Sequence, residues 1–172
     1  MKKTLALLFA LLGTANAAAQ APAPPPPKPC TAPETREFDF WLGSWNVFQP
    51  DGKQAGTNDI TAVYGCVLHE SWKGRGGFEG QSLNRYDTNR KVWHQTWVDS
   101  SGGILMIEGA FKDGVMTLSD ATLPGKKEPL KVNEIAWSKN ADGSVRQLWR
   151  TSEDGGKTWA VAFDGKYVKK TN

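Results

Sequence analysis

Histidine and cysteine are scarce in this 172-residue chain: His69 and His94, with Cys30 and Cys66, are all it has. A zinc site takes four ligands, or three and an open position. Such a site would have to recruit Glu70 or Asp99, and His69 and Glu70, being adjacent, face opposite sides of a strand. No metal site is expected, and no histidine follows His94 to serve as a late axial haem ligand. No cofactor is expected either: there is no Walker loop, no dinucleotide fingerprint and no strand–helix alternation to carry one. Gly80-Gln81-Ser82-Leu83-Asn84 lacks the second glycine of a nucleophile elbow and lies inside a strand pattern. An excess of one charge is also missing. The formal charge of +3 falls to +1 once Lys2 and Lys3 are set aside, and no basic stripe remains to suit nucleic acid or an anionic membrane.

Long apolar runs are absent too. The longest, at 5–12, follows Lys2 and Lys3 and precedes Ala15-Asn16-Ala17. That is the layout of a secretory signal peptide over residues 1–17, with cleavage after Ala19 or Ala21 as alternatives. The run is far shorter than the roughly 20 residues that cross a bilayer, so no membrane span is expected. Cys30 follows Lys28-Pro29 and lacks the Leu-x-x-Cys pattern of a lipoprotein anchor. The protein is expected in the periplasm or outside the cell. Residues 18–30 include Ala-Pro-Ala-Pro-Pro-Pro-Pro-Lys-Pro, a linker that favours an extended polyproline helix and forms no core. One domain is expected over 31–172. In an oxidising compartment Cys30 and Cys66 could pair, clipping the entry segment to the sheet; free buried thiols are the alternative.

Beyond residue 40 there is little sign of a helix. Short β-prone runs alternate with turn signals about every 8–12 residues. Candidate strands are 45–48, 60–64, 67–72, 81–86, 92–98, 104–111, 115–118, 130–137, 145–149 and 159–168, the last open to division around Asp164-Gly165. Asp51-Gly52, Asp113-Gly114, Asp142-Gly143 and Asp154-Gly155-Gly156 mark turns, since Asp-Gly supplies the positive φ of tight hairpins. About ten such strands make an antiparallel meander. Closing it into a barrel removes its sticky edges. The expected fold is all-β: a lipocalin-like β-barrel with a short N-terminal helical turn. The Pro124–129 stretch breaks the pattern and reads as a mobile loop.

Three pairs recur inside the strands: Glu70-x-Trp72, Gln95-x-Trp97 and Gln147-x-Trp149. Residues two apart share a strand face. Opposite the third pair stand Arg146, Leu148 and Arg150, which suits solvent, so the Trp-bearing faces are expected inside. Buried polar groups need partners; these either satisfy one another or orient a ligand. The register of the 81–86 and 92–98 hairpin is ambiguous by one residue, which leaves the placement of Asn84 open.

Across nearly the whole folded region the chain resembles the bacterial DUF1579 family, a domain of unknown function related to calycin-type barrels. The resemblance rests on 38–47, Gly65-Cys66-Val67-Leu68-x-Glu70-x-Trp72, Gly80-x-Ser82-Leu83-Asn84-x-Tyr86-Asp87, Trp93-x-Gln95-x-Trp97-Val98-Asp99, Val145-Arg146-Gln147-x-Trp149, Ser152-x-Asp154-Gly155-Gly156-x-Thr158-Trp159 and Phe163-Asp164-Gly165-x-Tyr167. It implies a barrel and brings no established activity. Gly43-x-Trp45 is similar to the Gly-x-Trp that opens the first lipocalin strand, where the Trp packs under the core beside a late-strand Arg. That implies structural roles for Gly43 and Trp45, with Arg146 or Arg150 as the cation. The segment Ser152 to Trp159 matches a single Asp-box, which specifies a hairpin turn capped by Asp154 with Trp159 packed under it.

The leading reading is a barrel that binds a small apolar or amphipathic molecule in its lumen. Trp72, Trp97 and Trp149 would line the site, and Glu70, Gln95 and Gln147 would anchor polar groups. One alternative is a filled barrel acting through its surface. Another is a hydrolase-type enzyme using Glu70, with Glu108 as a second inward acid; nothing in the sequence requires catalysis.

Overall fold

The computed structural model describes residues 30–171, so the signal peptide expected at 1–17 and all of the expected linker except Cys30 lie outside the described residues. The elements are two short 3-10 turns, Pro33–Arg36 and Asp39–Trp41, and ten strands: β1 (Gly43–Phe48), β2 (Gln54–Val63), β3 (Val67–Gly74), β4 (Glu79–Asp87), β5 (Val92–Asp99), β6 (Ile104–Lys112), β7 (Val115–Ser119), β8 (Val132–Lys139), β9 (Val145–Ser152) and β10 (Ala160–Lys169). Each strand pairs antiparallel with the next. β1 also pairs with β10, from Trp45 opposite Lys169 to Phe48 opposite Lys166, so the sheet closes into a barrel.

The strands form because buried and open positions alternate at the pleat period. In β4, Gly80, Ser82 and Asn84 are buried while Glu79, Gln81, Leu83 and Arg85 are exposed. The turn at Asp113 (φ 51°) and Gly114 (φ 83°) has two left-handed residues, the geometry whose twist matches a two-residue hairpin. Several strand boundaries differ from the sequence expectation. β2 begins at Gln54 rather than 60, because hydrogen bonding to β1 and β3 holds a stretch of polar residues extended. β8 begins at Val132 rather than 130. The last strand is one bulged strand and not two arms; its register against β9 shifts between Val161 and Phe163.

The 3-10 turns plug one barrel end. Phe38 stacks on Trp41 with centroids 5.0 Å apart and meets Trp93 and Trp137 edge-on at 5.7 and 5.2 Å. Trp45 donates its Nε1–H to the Trp41 carbonyl at 2.9 Å, tying the first strand to the plug. Phe38, Trp41, Trp45, Trp93 and Trp137 are fully buried, each worth about 1.5–3 kcal/mol or more in burial free energy. Outside the plug, Cys30 and Cys66 form a disulfide with Cα atoms 5.5 Å apart, and Arg36 donates to the Gly65 carbonyl at 2.7 Å. These two links clip the entry segment to the β2–β3 turn.

The cation over Trp45 is neither Arg146 nor Arg150. Lys169 Nζ lies 5.2 Å from the Trp45 ring centroid. The reason is topological: β10 lies between β9 and β1, so Lys169, opposite Trp45 in the ladder, reaches the indole first. Arg146 instead holds Asp164 on the outer wall at 2.7 Å, and Arg150 covers Trp159 at 4.9 Å. Asp154 caps its turn by accepting from the Lys157 and Thr158 backbone N–H groups, each at 2.9 Å, and Trp159 packs against Gly156. In the 120–131 loop, Lys126 is held by Asp120 at 2.5 Å.

Candidate functional site

Strand parity puts the loops 75–78, 100–103, 120–131 and 153–159 at the end opposite the plug. Inside this end lies a cavity of about 240 Å³. An apolar cavity of about 150 Å³ already admits benzene. Glu70, Trp72, Gln95, Trp97, Gln147 and Trp149 all line it, together with Phe78, Leu105, Ile135, Ala162, Phe163 and Tyr167. The three polar-x-Trp pairs therefore converge on one space. Each pair sits on a different part of the wall, the Trp toward the mouth and the polar residue one layer deeper.

The indoles fit against the wall because glycine stands beside them. A Cβ at Gly80 would lie 2.1 Å from the Trp97 ring, one at Gly56 2.9 Å from the Trp72 ring, and one at Gly165 2.5 Å from Phe163. All are closer than real Cβ contacts permit, so these close approaches need glycine. Trp97 donates its N–H to Asp99 Oδ2 and Trp149 to Asn133 Oδ1, both at 3.1 Å. Those N–H groups are thereby spent on the protein, and the ring carbons are left for the cavity.

Beneath the indoles is a directed hydrogen-bond chain. Asn84 Nδ2 donates to the Leu68 carbonyl at 3.2 Å and to Ser82 Oγ at 2.8 Å. Because a carbonyl can only accept, the Asn84 amide orientation is set, and its Oδ1 accepts from Gln95 Nε2 at 2.8 Å. Gln95 Nε2 also reaches Ser82 Oγ at 3.2 Å. With both Ser82 lone pairs occupied, its one proton points to Glu70 Oε2 at 2.6 Å. Asn58 Nδ2 donates to Glu70 Oε1 at 2.7 Å, and Tyr167 donates its hydroxyl proton to Gln147 Oε1. Asn84 thus faces the lumen, which resolves the register the sequence left open.

Two donors converge on Glu70, and both favour its anion. Burial works against them and dominates, so the Glu70 carboxyl is pushed above its ordinary 4.5. Burial and the nearby Glu70 charge push the Tyr167 hydroxyl well above its ordinary range. Two cavity-side atoms have no protein partner among the described residues: Gln95 Oε1, an acceptor, and Gln147 Nε2, a donor.

Glu108 is not a second inward acid. It sits opposite His94 on the outer wall, where Arg90 grips both its oxygens at 2.9 and 2.7 Å and His94 Nδ1 lies 2.8 Å away. Asn58, Ser82 and Tyr167 are site residues that sequence reasoning missed. Ser82 carried a signal, since it shares a face with Gly80 and Asn84. Asn58 and Tyr167 carried none: Asn58 reaches Glu70 across the β2–β3 ladder from a polar stretch with no apolar alternation, and barrel closure of β10 onto β1 brings Tyr167 to Asn58. Among the described residues no cluster of three or more His, Cys, Asp or Glu side chains could hold a metal ion, and no helix is long and apolar enough to cross a membrane. A scan against protein-family models finds no match, and a search of the curated proteins finds none either.

Proposed function

We propose that this protein is an exported barrel of the DUF1579 kind that binds a small, partly apolar molecule in the plug-free end of its lumen. The observation that carries the reading is the convergence of Trp72, Trp97 and Trp149 over Glu70, Gln95 and Gln147 on one cavity of about 240 Å³. Binding sites are concave and mostly apolar with a few placed polar groups, and this cavity has that composition. Export is supported by the Cys30–Cys66 disulfide, a bond that persists in oxidising compartments, and by the signal-peptide layout of the sequence.

A filled barrel acting through its surface requires a packed lumen, and the space between the indoles is open. A carboxylate-pair hydrolase requires a second acid facing Glu70, and Glu108 is on the other side of the wall. The test is titration with the neutral fluorophore N-phenyl-1-naphthylamine, against wild type and Leu105→Trp, which fills the cavity at its wall. Saturable emission enhancement in wild type, lost in the folded variant, is the expected result. Enhancement that the filling substitution leaves intact places the probe elsewhere and sinks the reading.

A further inference from the structure

Glu70 is 4% exposed, and no ion pair among the described residues includes it. A buried carboxylate without a counter-charge is costly. Yet the surrounding network is polarised to support negative charge: Ser82 and Asn58 both donate to it, and the chain behind Ser82 leaves its hydroxyl no other direction to donate. Glu70 also lines the cavity, so its remaining lone pairs are open to a bound molecule. Around that space stand the π-systems of Trp72, Trp97, Trp149 and Phe163, whose electron-rich faces attract cations. The N–H groups of Trp97 and Trp149 are turned to Asp99 and Asn133. Gln95, whose Oε1 has no protein partner among the described residues, lines the same cavity.

The geometry points to an organic ammonium ion with an apolar body as the ligand, its cationic head held by Glu70 between the indoles and its body directed to Leu105 and Phe78. This assignment rests on the reading of the lumen as a binding site. A neutral apolar molecule would leave the Glu70 charge uncompensated. An anion would meet that charge directly.

Calorimetric titration with phenyltrimethylammonium and with tert-butylbenzene, its neutral shape-match, separates the two ideas. The cation is expected to bind about 10- to 30-fold more tightly, from cation–π attraction in a desolvated site. Glu70→Gln is expected to erase most of that preference while still binding tert-butylbenzene. Trp149→Leu leaves the carboxylate intact and is expected to weaken the cation more than the neutral probe; it serves equally if Glu70→Gln fails to fold by near-UV circular dichroism. Equal affinities, or tighter binding of the neutral probe, overturn the cation assignment and leave the lumen reading standing. A preference that survives in folded Glu70→Gln overturns the role given to Glu70. Binding of neither probe overturns the assignment together with the lumen reading beneath it.

Discussion

Replacing Glu70 by Gln removes a buried titration from the folded protein, and its effect on stability can be worked out with its sign. In the folded state the Glu70 pKa lies above 4.5, raised by burial against the opposing hydrogen bonds from Ser82 and Asn58. The unfolded chain releases this proton near the ordinary value. Between the two values the folded state holds the extra proton, so its contribution to stability is complete below about pH 4.5 and is lost as pH rises through the folded pKa. The slope for one group is at most about 1.4 kcal/mol per pH unit. The Glu70→Gln variant has no such dependence. The amide that replaces the carboxyl can keep two hydrogen bonds: its oxygen accepts from Ser82, and its nitrogen donates to Asn58 once the Asn58 amide flips. Asn58 Oδ1 is buried without a protein partner, so the flip exchanges one unpaired atom for another. The variant is therefore expected within about 1 kcal/mol of wild type at low pH, one hydrogen bond's worth, and to gain on it as pH rises. The other titratable groups near Glu70 are Tyr167 across the lumen and His69 on the same strand; both remain in the variant. The assay is urea unfolding of both proteins from about pH 4 to about pH 8, followed by tryptophan fluorescence. A difference that stays flat, or that moves against the variant with rising pH, refutes the placement of Glu70 as a buried, net-destabilised anion.

Two further outcomes test the frame around the site. Cys30 and Cys66 close a loop with a sequence separation of 36, so Cys66→Ser is expected to lower stability by about 4 kcal/mol on the chain-entropy account, read as a fall in the urea midpoint; no change would mean the clip does not constrain the unfolded chain. Gly80→Ala places a methyl 2.1 Å from the Trp97 ring, with an expected cost of about 1–3 kcal/mol and a displaced Trp97 indole resonance; a neutral substitution would mean that the ring does not lie over Gly80.

The strand series could be read from sequence because each strand buries one face, so alternation and Asp-Gly turns carried the information. The three polar-x-Trp pairs were visible for the same reason: a period of two keeps Glu70 with Trp72, Gln95 with Trp97 and Gln147 with Trp149. The first half of β2 was not visible. Gln54, Thr57, Asn58 and Asp59 have no apolar alternation, and only pairing with β1 and β3 makes them a strand. Asn58 and Ser82 meet Glu70 across the two ladders of β3, which requires the register of each hairpin, and only Tyr167 is brought to the site by closure. Asn58 is 12 residues from Glu70, and Tyr167 is 109 from Asn58. The cation over Trp45 was misplaced for a related reason. Arg146 and Arg150 lie on β9, and only the ladder shows that β10 lies between them and Trp45 and brings Lys169 to the indole instead.

The most direct measurement uses the eight tryptophans of the chain as position-specific reporters in a ¹H–¹⁵N spectrum of the labelled protein, titrated with phenyltrimethylammonium and then with tert-butylbenzene. A molecule held in the lumen should move the indole signals of Trp72, Trp97 and Trp149, which line the cavity, and leave those of Trp41, Trp45 and Trp137 in the plugged end in place. Signals that stay fixed with both probes, or that move at the plug while the cavity indoles remain still, would contradict the account.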